Sequence, residues 1–112
     1  MDRLILDDRI NWEDRTLAEI TAEKVCREEL AMRQVPEIKF FHPSDADRKI
    51  GLLGYYSHAS IFLNCRLSRE ELLRTVRHEC RHAWQDRQPR FRGLKHGVCE
   101  RDAAVGQALI VR

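Results

Sequence analysis

The stretch from Ser68 to Arg87 constrains this chain more than any other. Ser68 is followed by Arg69, Glu70 and Glu71, a capping box in which Ser68 and Glu71 satisfy each other's backbone donors. Leu72, Val76 and Ala83 then mark an apolar stripe at helical spacing, widened by Leu73, Cys80 and Trp84. Pro89 follows, so the pattern predicts a helix that ends at about Arg87. On that helix His78 and His82 stand four residues apart, with Glu79, Cys80 and Arg81 between them. Residues four apart project from one helix face, one turn from each other. Both imidazoles can therefore reach a single metal ion. Glu79 sits beside the same face, where its carboxylate can hold a water molecule on that ion. Cys80 falls on a different face and is expected to pack inward.

The rest of the chain supplies a small α+β frame. Residues 12–34 read as a helix, with Leu17, Ile20, Ala22, Val25, Cys26, Leu30 and Ala31 largely at three- and four-residue spacings. Asp14 or Asn11 caps its start, Pro36 ends it, and Trp12 reads as a core or boundary aromatic. Residues 38–41 read as a short strand, and 42–45 as a turn or loop punctuated by Pro43 and Asp45. Two further β-rich runs, 52–57 and 60–64, carry Tyr55, Tyr56, Ile61 and Phe62. The short connection at His58-Ala59 predicts a hairpin, and with 38–41 as third member the sheet is expected to be antiparallel. Residues 88–96 read as a loop, and 97–110 as a last helix. No repeat, linker or low-complexity tract interrupts this, so residues 1–112 are read as one domain.

Composition excludes more than it selects. The 112 residues are 43% hydrophobic and 34% charged, yet the formal net charge is only +2. A charge so balanced gives no electrostatic case for nucleic acid. The mild cluster Arg87, Arg90, Arg92 and Lys95 reads as a solvated loop. No apolar run approaches the ~20 residues of a membrane span, and the segment Met1 to Asp8 is too acidic and too briefly apolar for a signal peptide. The cysteines at 26, 65, 80 and 99 form no C-x-x-C pair. Free thiols in a reducing, cytoplasmic setting are the expectation.

A catalytic zinc usually takes three protein ligands and keeps one position open. His78 and His82 supply two. Glu100 is the chosen third, because the interval after His82 accommodates a loop and the first turn of a returning helix. Asp102 is the alternative ligand, and Cys99 a soft-ligand alternative. The plainer account of Glu100 is an acid favoured by the dipole at a helix start, and that of the histidine pair is a polar helix face.

The H-E-x-x-H arrangement of residues 78–82, in its setting of residues 75–85 and followed by Glu100-x-x-Ala103, resembles the glutamate-liganded zinc peptidases, the gluzincins. Among them it is most similar to small bacterial and phage members of the ImmA/IrrE type. In that type the segment begun by the third ligand usually continues with Asn or Asp. This chain has Ala104 there, which removes a polar support for a ligand histidine and leaves Asp102 to take that part. The resemblance covers roughly residues 50–110. It implies a minimal zincin-like α+β domain, with the N-terminal helix and the motif helix packed on a small, mostly antiparallel sheet and a C-terminal helix bearing the ligand. It also implies one Zn2+ per chain and a strand along the cleft whose free edge pairs with an extended peptide. The hairpin at Gly54 to His58 occupies the corresponding place.

The chemistry so implied is peptide hydrolysis. Glu79 would take a proton from water activated by the ion and pass it to the leaving amine. Tyr55, Tyr56, His58 and His96 are available to stabilise the oxyanion, with Tyr56 and His58 preferred for their place on the hairpin. The expected partner is a peptide or protein substrate, or a regulatory protein. One alternative is a weakly active or inactive zinc-binding domain that regulates a DNA-bound or phage-encoded protein. The second is a nucleic-acid-associated peptidase of the SprT-like kind, in which His96 would replace Glu100 as third ligand.

Overall fold

The computed structural model describes residues 11–88 and Glu100. In chain order these form α1 (Trp12–Lys24), a π-helical turn (Val25–Glu29), β1 (Glu37–Phe41), α2 (Asp45–Ile50), β2 (Gly54–Ser57), β3 (Ser60–Asn64) and α3 (Arg69–Asp86). The class is α+β, with three α-helices and a mixed three-stranded sheet among the described residues. Glu100 is itself helical. The rest of the helix expected over 97–110, the loop over 89–96, and the residues His96, Cys99 and Asp102 lie outside the described residues. None of the described helices is long and apolar enough to cross a membrane.

α3 begins where its capping box places it. The Ser68 hydroxyl accepts from the Glu71 amide and Glu71 Oε1 accepts from the Ser68 amide, both at 3.2 Å. Its inward stripe, Leu72, Val76, Cys80 and Ala83, is buried against α1 and the sheet. Burial of each large side chain of this kind contributes roughly 1.5–3 kcal/mol.

α1 departs from the expected pattern. Asn11 caps it, with Oδ1 accepting from the Glu13 amide at 2.7 Å. Its buried stripe is Ala18, Ala22, Val25 and Cys26, small residues that let two helices approach closely. Ile20 follows Ala18 by two positions, which is about 200° around the helix, and is 60% exposed. Trp12, expected in the core or at its boundary, is 71% exposed, and Ala31 is exposed as well. The helix also stops short of residue 34. The Leu30 amide reaches back five residues to the Val25 carbonyl at 3.0 Å, that of Met32 reaches Cys26 O at 2.7 Å, and Ala31 adopts φ 52°. A widened turn and a left-handed residue end the helix here.

α1 and α3 lie side by side with their N-termini together. Arg69 donates to Asp14 at 2.9 Å and Glu13 at 2.8 Å, and Arg77 to Glu29 at 2.6 Å. Such partly exposed pairs contribute ~0–1 kcal/mol each, so they set the register of the two helices while the alanine and cysteine seam stabilises them. In that seam the side chains of Cys26 and Cys80 are both fully buried. Cys26 and Cys80 carry free thiols, and Cys65 Sγ lies 3.6 Å from His42 Nδ1.

The sheet order is β1-β3-β2, so the antiparallel expectation holds for only one of its two pairings. β2 and β3 form the expected antiparallel hairpin, Tyr56 opposite Ile61, but β1 joins β3 in parallel, Ile38 opposite Ile61. Residues 42–53 are the cause. They carry the chain past the width of one strand, so that β3 returns between β1 and β2. Within them lies α2, absent from the sequence reading, capped by Ser44 with Asp47 and closed by Gly51 at φ 65°. β2 begins at Gly54, two residues later than expected. His58 and Ala59 both have positive φ, 48° and 64°, which identifies the tight hairpin turn whose twist matches that of its strands.

Among the described residues this arrangement gives β2 a neighbouring strand, β3, on one side only, and packs it close against α3. A Cβ on Gly54 would lie 2.7 Å from the Phe62 carbonyl oxygen and 2.8 Å from Thr75 Cγ2. Only glycine lets the strand come this near.

Candidate metal centre

One helix face and one arriving carboxylate build the site. His78 and His82 project from α3 with ring centroids 4.9 Å apart at 74°. Between them stands the carboxylate of Glu100. Its Oε2 is 2.9 Å from His78 Nε2 and its Oε1 is 2.6 Å from His82 Nε2. One ligand atom from each of the three residues lies within 4.8 Å of the other two. Donors this close can converge on one ion with small side-chain adjustments, and two imidazoles with one carboxylate are a donor set suited to zinc.

His82 provides a further test of fit. Its Nε2 is buried and has no hydrogen-bond partner. Glu100 Oε1 is near enough at 2.6 Å, but the contact is too poorly aligned to be a hydrogen bond. A buried ring nitrogen beside a carboxylate, without an aligned proton between them, is an arrangement that a cation resolves. The residues present therefore fit a divalent metal.

Glu79 lies one position beyond His78 and is only 5% exposed. The backbone amide of Tyr56, on β2, donates to its carboxylate. Burial pushes the Glu79 carboxyl up to about 8, the negative charge of Glu100 adds to that, and the Tyr56 amide opposes it. Glu100 shifts the other way. Partial burial raises it, but the charge of His82 and the hydrogen bond and charge of His78 outweigh burial, and the net direction is down. Two acids in one cleft thus diverge because one touches imidazoles and the other touches an amide in a dry pocket.

The cleft holds about 230 Å³ and is lined by Leu53, Gly54, Thr75, His78, Glu79 and Glu100. Its floor is α3 and one wall is the start of β2. No family model, curated protein or solved structure matches this chain.

Of the residues expected from the sequence, His78, Glu79, His82 and Glu100 come together. Tyr56 arrives by its main chain. Its hydroxyl donates to Asp86 Oδ2 at 3.1 Å, and that partner, with burial first, raises its phenol. His58 is exposed on the hairpin turn, with Nδ1 2.7 Å from its neighbour Ser57 Oγ, and is not among the cleft-lining residues. Leu53, Thr75 and Gln85 have no role in the sequence reading, and Gly54 enters it only as the start of the hairpin that the resemblance lays along the cleft. Helical spacing was the available signal for two of them, since Thr75 precedes His78 by three and Gln85 follows His82 by three. Gly54 carried no such signal, because the close approach that requires it joins distant parts of the chain.

Proposed function

We propose that this chain is a zinc-dependent peptidase with a minimal zincin-like site, in which His78, His82 and Glu100 hold the ion and Glu79 is the general base. The observation that carries the reading is the convergence of two imidazoles and a carboxylate in a cleft beside a buried glutamate. Zinc, when bound, supplies a Lewis acid that polarises a peptide carbonyl and acidifies water.

The remaining work falls to the chain's own groups. Glu79, in its ionised form, would accept a proton from the attacking water and return it to the leaving amine. The Tyr56 amide holds that carboxylate in place from β2. Tyr56 pairs opposite Ile61 on β3, and its amide turns away from β3 toward Glu79. By the two-residue period of a strand, Gly54 shares this outward phase. Among the described residues no strand pairs with this edge, so an extended peptide could be laid along it at Gly54, with Leu53 as an apolar contact. Tyr56, its hydroxyl on Asp86, enters as the support of Glu79 and not as the donor to an oxyanion. The approach of the Glu100 carboxylate to both rings supports its choice as third ligand.

The test is Glu79→Gln. The variant should keep one zinc per chain and lose about 10²–10⁴-fold in cleavage of an unfolded polypeptide. Normal zinc with cleavage at the parent rate would end the hydrolase reading. His78→Ala and His82→Ala should each lose zinc, and one zinc per chain retained in both would refute the ligand assignment.

A further inference from the structure

We infer that Gln85 is a positioning residue for this centre: its side-chain oxygen holds the His82 proton on Nδ1 and so keeps Nε2 as a lone-pair donor. The inference rests on the reading of residues 78, 82 and 100 as metal ligands. It concerns the metal-free ring itself and needs no catalysis.

A neutral imidazole carries one proton, so one nitrogen donates and the other accepts. Gln85 Oε1 lies 2.8 Å from His82 Nδ1, and Gln85 is only 4% exposed. An amide oxygen so buried needs a donor, and the ring N–H meets it. The opposite nitrogen faces Glu100 Oε1 at 2.6 Å without an aligned hydrogen bond. A carboxylate at that distance would attract the ring proton, and a proton on Nε2 would block the lone pair that a metal requires. Gln85 therefore competes with Glu100 for one proton and decides which nitrogen is left bare. Because Gln85 follows His82 by three residues on α3, acceptor and ring are carried by the same helix face. Acceptors of this kind fix the orientation and tautomer of metal-binding histidines, and their loss costs about 10- to 100-fold in metal affinity.

The experiment uses the full chain without metal and reads the His82 tautomer by long-range ¹⁵N–¹H correlation at a pH where the ring is neutral. The parent chain should show Nδ1–H. Gln85→Leu should move the proton to Nε2 and weaken Co2+ and Zn2+ binding by about 10- to 100-fold. Gln85→Glu, which keeps an acceptor, should retain both the tautomer and an affinity within a few-fold of the parent. Should Gln85→Leu fail to fold, Gln85→Met, of equal length and without the acceptor, gives the same comparison. An Nε2–H ring in the parent, or a Gln85→Leu chain with unchanged tautomer and affinity, would overturn the inference while leaving the metal reading intact. A parent chain that binds neither ion would sink the metal reading and this inference together.

Discussion

On one side of α3, Leu72, Val76, Cys80 and Ala83 are sealed from water between α1 and the sheet. On the other, His78, Glu79 and His82 meet Glu100 at a cleft. The first side lowers the energy of the fold by burial, and any apolar side chain of the right volume would serve there. The second side does the reverse. It keeps a carboxyl dry beside another acid and leaves a buried ring nitrogen without a hydrogen bond. Groups set against their own solvation in one place are the mark of a site shaped for something other than stability. The difference between the faces can be attacked by experiment.

The largest effect should come from pH. In the metal-free chain the folded Glu79 carboxyl titrates at about 8, against 4.5 for the unconstrained group. Between those values the unfolded chain has released this proton while the folded chain keeps it. Stability therefore falls as pH rises through that window, by at most about 5 kcal/mol, and levels off above it. Glu79→Gln removes this contribution, so the difference between variant and parent in urea unfolding should grow from pH 4.5 to 8. Zinc should also remove it, since a cation beside Glu79 favours the ionised form. Parallel pH profiles for parent and variant would show that the cleft face carries no such cost.

Leu72→Ala attacks the other face. A large side chain cut back in a packed core should cost about 3 kcal/mol, read as a lower urea midpoint. Zinc affinity should stay near the parent's as long as the chain is folded, because Leu72 lies more than a turn from His78. A proportionate loss of zinc affinity would mean that the two faces are not separable. Gly54→Ala strikes where the cleft wall, the sheet and α3 meet. The added methyl would lie 2.7 Å from a backbone oxygen that has no rotamer by which to yield. About 2 kcal/mol of destabilisation follows from overpacking, together with a displaced β2 and a weaker hold of Tyr56 on Glu79. Here stability and turnover should fall together, unlike at Leu72 or Glu79 alone.

The same contrast explains what was legible in the sequence. The start of α3, its inward stripe and the pairing of His78 with His82 follow from local rules of spacing and capping, and the structure has them, except that Leu73 is half-buried outside the core. α1 misled because its buried stripe is made of alanines and a cysteine, while the larger Ile20 and Trp12 face water. Hydrophobicity read by size pointed to the wrong side. The sheet order was hidden for another reason: up-down-up strand directions are compatible with β2 or with β3 in the middle, and α2 was too short to show by periodicity. Glu100 could be chosen from its distance along the chain and a resemblance. The resemblance could lay the Gly54–His58 hairpin along the cleft, but not the Tyr56 amide on Glu79 or the need for glycine at 54, because these depend on backbone that strand pairing brings there.

The hairpin turn offers the smallest effect and a control for the whole comparison. Ala59 sits at φ 64°, where an L-residue with a Cβ is disfavoured by roughly 1–2 kcal/mol. Glycine escapes that cost but gives back part of the gain through the greater entropy of its unfolded chain. Ala59→Gly should therefore raise stability by about 0.5–1 kcal/mol, read as a higher urea midpoint. His58 and Ala59 are exposed and do not line the cleft, so zinc affinity and turnover should not change. If the variant is stabilised yet loses turnover, the hairpin would have to flex for the edge of β2 to receive a peptide. The cleft would then depend on the ease with which the turn deforms, and β2 could no longer be treated as a fixed wall opposite α3.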